Sequence, residues 1–228
     1  MNKITYLDGA RWHRALVAGA SNVLSRQEYL NKINVFPVPD GDTGTNMAFT
    51  LTSILDSTEQ KIHPRSDEML ALIADAALDG ARGNSGVILA QFFQGLSDGA
   101  AGVEKMTPEN FAKAVQFGAE YARQALAEPI EGTILTVLTD FSNHLNELIE
   151  SQNCDFEHLL EMGINEAEKS LENTPNLLAV LKKAGVVDAG AQGFVDLLNG
   201  IFSFVRDGDL HGFKTNLEKK EATLDLIS

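Results

Sequence analysis

Apolar residues recur along most of the chain at the three- and four-residue spacing of an amphipathic helix, and the two-residue alternation typical of a strand is almost absent. After Thr45, for example, Met47, Leu51, Ile54 and Leu55 fall on one helical face. The fold class is therefore predicted to be all-α. The predicted helices span residues 7–30, 45–61, 67–81, 85–100, 108–127, 133–151, 156–171, 176–184 and 191–206.

Turn-forming residues separate these helices. Thr107 and Pro108 provide an N-cap and a proline at the first helical position, and the run from Asn173 to Pro175 separates two late helices in the same way. Because no shift in composition divides the chain before its end, residues 1–207 are predicted to form one domain. Residues 208–228 are polar and charged, which is typical of a linker or tail.

Composition limits the kinds of partner. With 228 residues, of which 44% are hydrophobic, the chain is long enough to bury a substantial core. A net charge of -14 argues against nucleic acid and anionic membranes as partners, and a polyanionic ligand would need bound cations. The single Cys154 cannot form an intrachain disulfide, and the sequence shows no signal peptide or transmembrane segment. A cytoplasmic location is expected.

The segment from Asn34 to Met47 is rich in groups that bind metal and phosphate. Asp40 and Asp42 are two residues apart, so in an extended loop their carboxylates point the same way, and such hard oxygen ligands suit Mg²⁺ or Ca²⁺. Thr43 to Asn46 lie where the next helix begins, and free backbone N–H groups there favour an anion. The segment therefore predicts a site for a metal and a phosphate.

Two other structures would use the same residue types. An ordinary turn that ends in a helix N-cap is a real alternative, and this segment alone does not distinguish the two. An EF-hand loop is disfavoured, because counting from Asp40 puts Gly44, Thr45 and Leu51 where a ligand, the sharp-turn glycine and the bidentate Glu belong.

Three further glycine-containing loops also open helices. In the first, Gly83, Asn84 and Ser85 offer close backbone approach and hydrogen-bond donors to an anion, and Arg82 offers a positive charge, although a plain interhelical turn would contain similar residues.

The second of these loops contains Gly132 and Thr133, and the third contains Asp188 and Gly190. Capping alone would explain Thr133 and Asp188. Alternate connections in an up-and-down bundle lie at the same end, so all four loops are expected to share one ligand at one rim.

Four segments, taken in order, resemble the N-terminal kinase domain of bacterial fatty acid kinases, which is related to the ATP-binding L domain of dihydroxyacetone kinases. They are NVFPVPDGDTGTNM from residue 34, GARGNSGVIL from residue 80, PIEGTILTV from residue 129 and SLENTPNLLAVLKKAGVVDAG from residue 170. The resemblance covers residues 7–206. It implies a barrel of about eight antiparallel amphipathic helices, with ATP and two Mg²⁺ ions held by loops at one rim.

The resemblance also implies roles for individual residues. Asp40 and Asp42 would be metal ligands that bridge to the phosphates, and Asn34 would be the third ligand through its amide oxygen. Thr45, Asn46, Asn84 and Ser85 would contact phosphate, and Thr133 and the loop from Asp188 to Gly190 would line the nucleotide site. The residues assigned to the nucleotide are Thr43, Thr45, Asn46, Gly83, Asn84, Ser85, Gly132, Thr133, Asp188 and Gly190.

The implied reaction is transfer of a phosphoryl group from ATP to the carboxylate of a fatty acid, which gives an acyl phosphate. A carboxylate is already ionised at neutral pH and needs no general base, and the five histidines lie outside the four loops. A fatty-acid-binding protein or a fused acyl-binding domain would present the acceptor and would be needed for turnover, and a homodimer is expected by family analogy.

Three other functions stay open: a non-catalytic nucleotide- or lipid-binding module, phosphoryl transfer to a small hydroxy-ketone such as dihydroxyacetone, and a phosphatase with water as acceptor. Also open is whether the apolar interior of the barrel holds a lipid or packs as a plain core, and whether the chain stands alone or begins a longer protein.

Overall fold

The computed structural model describes residues 4–151 and 154–207. Within these ranges it contains ten helices and no strand, and a single bridge pairs Leu7 with Met106. The predicted all-α class is confirmed. The helices are α1 (Gly9–Ser25), α2 (Gln27–Ile33), α3 (Thr43–Gln60), α4 (Ser66–Gly80), α5 (Gly83–Gly99), α6 (Pro108–Gln124), α7 (Ile134–Ser151), α8 (Phe156–Leu177), α9 (Ala179–Ala184) and α10 (Ala189–Asp207).

The eight long helices form a closed ring. Each packs on the next in the order α1, α3, α4, α5, α6, α7, α8 and α10, and α10 packs back on α1. The two short helices, α2 and α9, lie in the connections. Short connections make neighbouring helices run in opposite directions, so alternate connections lie at the same end of the ring.

Aromatic side chains fill the interior of the ring. The ring of Phe194 on α10 lies 5.4 Å from that of Phe92 on α5 and 5.8 Å from that of Phe141 on α7. The ring of Phe111 on α6 lies 5.8 Å from that of Phe156 on α8. These pairs join helices that are not neighbours in the ring, so the side chains span its centre as a packed core.

The prediction of one helix over residues 7–30 is wrong. Asp8 caps α1 by accepting a hydrogen bond from the Arg11 N–H, and the helix breaks at Arg26 before α2 begins. The Arg26 N–H bonds the carbonyl of Val23 three residues back, and its guanidinium pairs with the buried Asp196 of α10 at 3.1 Å. An ion pair to a distant helix therefore accompanies the break.

The predicted separation at Asn173 to Pro175 is also wrong, because α8 continues through Pro175 to Leu177. Proline has no N–H to donate to the carbonyl four residues earlier, which here is that of Leu171. The Thr174 hydroxyl donates to this carbonyl at 2.7 Å and replaces the missing bond. The helix tolerates the proline and ends at Leu177, with Leu178 as its C-cap.

Three expectations concern the chain as a whole. No helix within residues 4–151 and 154–207 is long and apolar enough to cross a membrane. The single domain over residues 1–207 stays a prediction. The linker or tail over residues 208–228 lies outside the described residues, as does His211.

Candidate functional site

Four connections meet at one end of the ring. They are residues 34–42 before α3, 81–82 before α5, 125–133 before α7 and 178–188 around α9. Residues from all four, or from the first turns of the helices that follow them, line two adjoining pockets. The two pockets share Pro37, Thr43, Asn84 and Ser85. The structure thus brings together the loops that the sequence placed at one rim.

The first pocket, the acidic pocket, has a volume of about 210 Å³ and contains both candidate metal-binding carboxylates. Asp40 is exposed and Asp42 is half-buried. The lining residues are Asn34, Pro37, Val38, Asp40, Asp42, Thr43, Asn46, Gly83, Asn84 and Ser85.

The second pocket, the apolar pocket, has a volume of about 230 Å³ and is lined mainly by aliphatic and aromatic side chains. Most of this lining was not predicted, because nothing in the sequence distinguishes these residues, in connections or on helix faces, from ordinary loop and core residues. The lining residues are Phe36, Pro37, Thr43, Asn84, Ser85, Ile88, Leu126, Ala127, Glu128, Ile130, Thr133, Ile134, Asp188 and Gly190.

Asn34 has an unpaired oxygen in the acidic pocket. Its side chain is only 6% exposed, and its Nδ2 donates to Asp40 Oδ1 at 2.8 Å. Its Oδ1 is buried and has no hydrogen-bond partner. A buried acceptor without a partner is costly, and a bound cation would satisfy it. Asn34, Asp40 and Asp42 together therefore fit a hard divalent cation that prefers oxygen ligands.

The candidate ligands Asn34, Asp40 and Asp42 include only two carboxylates. No group of three or more His, Cys, Asp or Glu residues suited to a metal occurs in the described parts of the chain. Two carboxylates and one amide oxygen leave several coordination positions of an Mg²⁺ ion for water or for phosphate oxygens.

Two helix N-termini also open on the acidic pocket. Thr43 is the first residue of α3 and Gly83 the first of α5, and neither helix has a capping bond from the side chain of its N-cap residue. In α3 the N–H of the third residue, Thr45, is already bonded to Asn31 Oδ1. The first N–H groups of a helix have no partner within it and favour an anion. Gly83 has φ of 56°, and a Cβ there would lie 2.3 Å from Asn46 Nδ2. Glycine thus lets the start of α5 come close to the start of α3.

The positive charge that Arg82 is expected to supply to the site stays a prediction. Its guanidinium donates to the carbonyls of Ala81 at 2.8 Å and Asp79 at 3.4 Å, and it lines neither pocket. No lysine or arginine of the described residues lines either pocket, whereas four carboxylates do. A polyanion bound here would need accompanying cations to offset that charge.

Asp188 ties two helix starts together beside the apolar pocket. Its Oδ2 accepts from the N–H of Ile134, which begins α7, at 3.0 Å and from the N–H of Ala191 in α10 at 2.9 Å. Its own N–H donates to the Thr174 hydroxyl at 3.1 Å. Burial raises the pKa of this carboxyl to about 6, although hydrogen bonds from backbone N–H groups act to lower it. The capping role considered for Asp188 is therefore present, on two helices at once.

Thr133 has its hydroxyl engaged within its own turn. It donates to the Ile130 carbonyl at 2.7 Å and accepts from the Leu135 N–H at 3.3 Å. Gly132, with φ of 83°, donates its N–H to the Thr136 hydroxyl and lies outside both pockets.

Thr45 also lies outside both pockets. Its hydroxyl oxygen accepts from Gln27 Nε2 at 3.1 Å and from Asn31 Nδ2 at 3.0 Å, so it faces α2. The phosphate contact assigned to Thr45 stays a prediction. Apart from Thr45 and Gly132, each residue assigned to the nucleotide or the metal lines at least one pocket.

The model of the DAK2 domain matches residues 37–203. Among curated proteins, uncharacterised proteins of Staphylococcus saprophyticus and Staphylococcus haemolyticus are each 37% identical to this chain, over 95% and 96% of its length. An uncharacterised protein of Staphylococcus aureus is also 37% identical, over 97% of the chain. The chain spans about two-fifths of the length of these relatives, 39%, 39% and 40% respectively.

Solved structures show the same fold. The dihydroxyacetone kinase from C. freundii, in complex with AMP-PNP and Mg²⁺, superposes with a TM-score of 0.65 at 18% identity, over 87% of this chain and 34% of that chain. The native form of the dihydroxyacetone kinase of C. freundii gives a TM-score of 0.62 at 19% identity, over 89% and 36%.

Proposed function

The chain belongs to the DAK2 domain family, and from that premise we propose that it is the nucleotide-binding, phosphoryl-donating domain of an ATP-dependent kinase. One observation carries the proposal. An acidic pocket with an unpaired buried amide oxygen and two helix N-termini, neither of which has a capping bond from its N-cap side chain, adjoins an apolar pocket of similar size. Charged phosphates with their metal ions and a flat apolar base need this combination.

The acidic pocket would take the phosphates and the metal. Asp40, Asp42 and Asn34 would hold Mg²⁺, in a site proposed to take two ions. Bound Mg²⁺ would neutralise charge on the phosphate oxygens and favour loss of the terminal phosphoryl group. The N–H groups at the starts of α3 and α5 would donate to the same oxygens, because a phosphoryl-transfer site stabilises developing charge with fixed donors.

The apolar pocket would take the base and the sugar. Asn84 and Ser85 line both pockets, so they would contact the part of the ligand that joins the base to the phosphates. Thr133 and Asp188 hold the starts of α7 and α10 against the far side of this pocket. Their contribution would be to keep the wall rigid, because their own polar atoms are already bonded to the backbone.

For the acceptor, we propose the carboxylate of a fatty acid presented by a fatty-acid-binding protein in the cytoplasm, with an acyl phosphate as product. The sequence resemblance supports this choice. An ionised carboxylate needs no general base, whereas a hydroxyl acceptor does.

A transfer assay tests the proposal. The chain is incubated with labelled ATP, Mg²⁺ and a fatty-acid-binding protein loaded with palmitate, and hydroxylamine traps any acyl phosphate as a hydroxamate. We expect hydroxamate only when all components are present. An Asp40→Asn, Asp42→Asn double variant, which keeps the size of both side chains, is the matched control and should give none.

Other outcomes would assign other functions. Labelled dihydroxyacetone phosphate, formed when dihydroxyacetone replaces the fatty acid, would contradict the proposed acceptor. Free phosphate released without any acceptor would indicate a phosphatase. Binding of MgATP without turnover in any arm would indicate a non-catalytic binding module.

A further inference from the structure

The short helix α2 is fastened to the start of α3 by a small polar joint, which we define as Gln27, Asn31, Gly44 and Thr45. Asn31 makes two bonds to one residue. Its Oδ1 accepts from the Thr45 N–H at 3.0 Å, and its Nδ2 donates to the Thr45 hydroxyl at 3.0 Å. Gln27 adds a third bond, from Nε2 to the same hydroxyl at 3.1 Å.

The two helices approach each other too closely for any side chain at Gly44. A Cβ there would lie 2.2 Å from the carbonyl oxygen of Gln27 and 2.9 Å from Asn31 Oδ1. Backbone contact and the paired amide therefore fix the separation and rotation of α2 relative to α3. An Asn side chain is short and has a planar amide, so little freedom remains once both of its bonds form.

The joint adjoins the segment that carries the candidate metal ligands. Asn34 follows the last residue of α2, and its N–H bonds the Asn31 carbonyl at 3.3 Å. Asp42 precedes the first residue of α3. The ligand-bearing segment 34–42 is therefore held at both ends by the two helices that the joint fastens, and its geometry depends on them.

We propose that Asn31 and Thr45 are positioning residues for the metal site, an inference that rests on the proposed function. Neither residue lines the acidic pocket. They act by holding Asn34 and Asp42 at the separation that one ion can bridge. Residues that orient metal ligands without touching the metal commonly change metal affinity by about 10–100-fold when they are mutated.

The competing role for Thr45 is direct contact with phosphate, as the family resemblance implies. The two roles predict the loss of different affinities. A phosphate contact affects ATP affinity when metal is saturating and is independent of Asn31. A positioning role affects metal affinity and is shared between Asn31 and Thr45, because the two residues are bonded to each other.

Mn²⁺ titrations of ATP binding separate the two roles. Calorimetry gives the apparent affinity for Mn²⁺ at fixed ATP and the apparent affinity for ATP at saturating Mn²⁺. We expect Asn31→Ala to weaken the apparent Mn²⁺ affinity by about 10–100-fold. Thr45→Val, which replaces the hydroxyl with a methyl group of the same size, should weaken it in the same direction.

The control is Thr45→Ser, which keeps the hydroxyl and the N–H and should retain the parent's Mn²⁺ affinity. The double variant Asn31→Ala, Thr45→Val should lose little more than Asn31→Ala alone, because the two residues form one unit. Thermal melting followed by circular dichroism confirms that each variant is folded. Gln27→Ala, which removes only one bond, serves as a milder variant if Asn31→Ala fails to fold.

The outcomes are distinguishable. If the parent itself binds no Mn²⁺–ATP, the proposed function fails and the inference falls with it. If the parent binds and the folded variants keep its Mn²⁺ affinity, the inference is overturned and the function stands. If Thr45→Val weakens ATP binding at saturating Mn²⁺ while Asn31→Ala changes nothing, Thr45 contacts phosphate and is not a positioning residue.

Discussion

Asp188 provides a sharp test of how the rim is held together. It is only 5% exposed, and one oxygen of its carboxylate accepts from the first residue of α7, Ile134, and from Ala191 in α10. Asp188→Ala removes both bonds, whereas Asp188→Asn keeps the shape of the side chain and removes only its ability to titrate. Comparison of the two variants separates the contribution of the capping hydrogen bonds from that of the titrating charge.

The loss of stability expected for Asp188→Ala follows from the two hydrogen bonds that it removes. Loss of an N-cap costs about 0.5–2 kcal/mol. The second N–H, that of Ile134, is left buried without a partner, which costs about 1–3 kcal/mol. We therefore expect Asp188→Ala to lower the free energy of unfolding at pH 8 by about 1.5–5 kcal/mol.

The pH dependence follows from the raised pKa. Burial raises the pKa of Asp188 from 3.8 to about 6 in the folded state, so the folded chain binds more protons than the unfolded chain between these values. The contribution of this group to stability therefore increases as the pH falls through 6. Between pH 8 and pH 5 it adds about 1.4 kcal/mol to the parent. Asp188→Asn has no titrating group at this position, so its free energy of unfolding does not rise by this amount.

Urea denaturation followed by circular dichroism measures both effects. Other titrating groups are common to the parent and Asp188→Asn, so they cancel when the two stabilities are subtracted at each pH. The parent should gain about 1.4 kcal/mol on Asp188→Asn between pH 8 and pH 5. A difference that stays constant, or that moves the other way, would show that the backbone N–H groups keep the carboxylate ionised and would refute the reasoning.

Three further predictions test other parts of the rim. Asn34→Ala should weaken Mn²⁺ binding by about tenfold or more because its buried, unpaired side-chain oxygen is lost, and Asn34→Asp should restore it in the same titration. Gly83→Ala should cost about 1–2 kcal/mol in thermal unfolding for its positive φ, and it should weaken ATP binding, since the new methyl group would displace the Asn46 amide. Thr174→Val should cost about 1–3 kcal/mol in urea denaturation, because the buried N–H of Asp188 loses its acceptor; equal stability of parent and variant would contradict this.

Much of the fold follows from local signals. Amphipathic periodicity alone indicated the eight long helices, and the glycine-containing loops before α3, α5, α7 and α10 marked the rim where the pockets lie. These signals act within a few residues, through helix faces and through turn residues such as Gly83. Their positions along the chain were enough to predict that the loops share one end.

The errors arose where a distant or unexpected partner decides the outcome. The break at Arg26 involves Asp196, far away on α10, and no local pattern indicates it. Thr174 supports α8 through Pro175 with a hydroxyl bond that overrides the usual breaking effect of proline. Thr45 is of a residue type that often binds phosphate, and its phosphate contact stays a prediction, although its hydroxyl accepts from Asn31 on α2 and lies outside both pockets.

The lining of the apolar pocket was hard to predict from the sequence for a different reason. Residues such as Phe36, Ile88, Leu126 and Ile130 line it, yet in the sequence they differ in no way from residues of the core. Only the spatial arrangement of four connections separates a wall residue from a packing residue. The polar half of the site was therefore more predictable than the apolar half.

The central claim is that divalent cations make an acidic rim able to bind ATP. Calorimetry of ATP binding in Mg²⁺ and in EDTA, on the parent and on the Asp40→Asn, Asp42→Asn variant, tests it most directly. We expect binding to the parent in Mg²⁺, none measurable in EDTA, and a large loss of affinity in the variant. Equal ATP affinity in Mg²⁺ and EDTA, or an unchanged affinity in the variant, would contradict it.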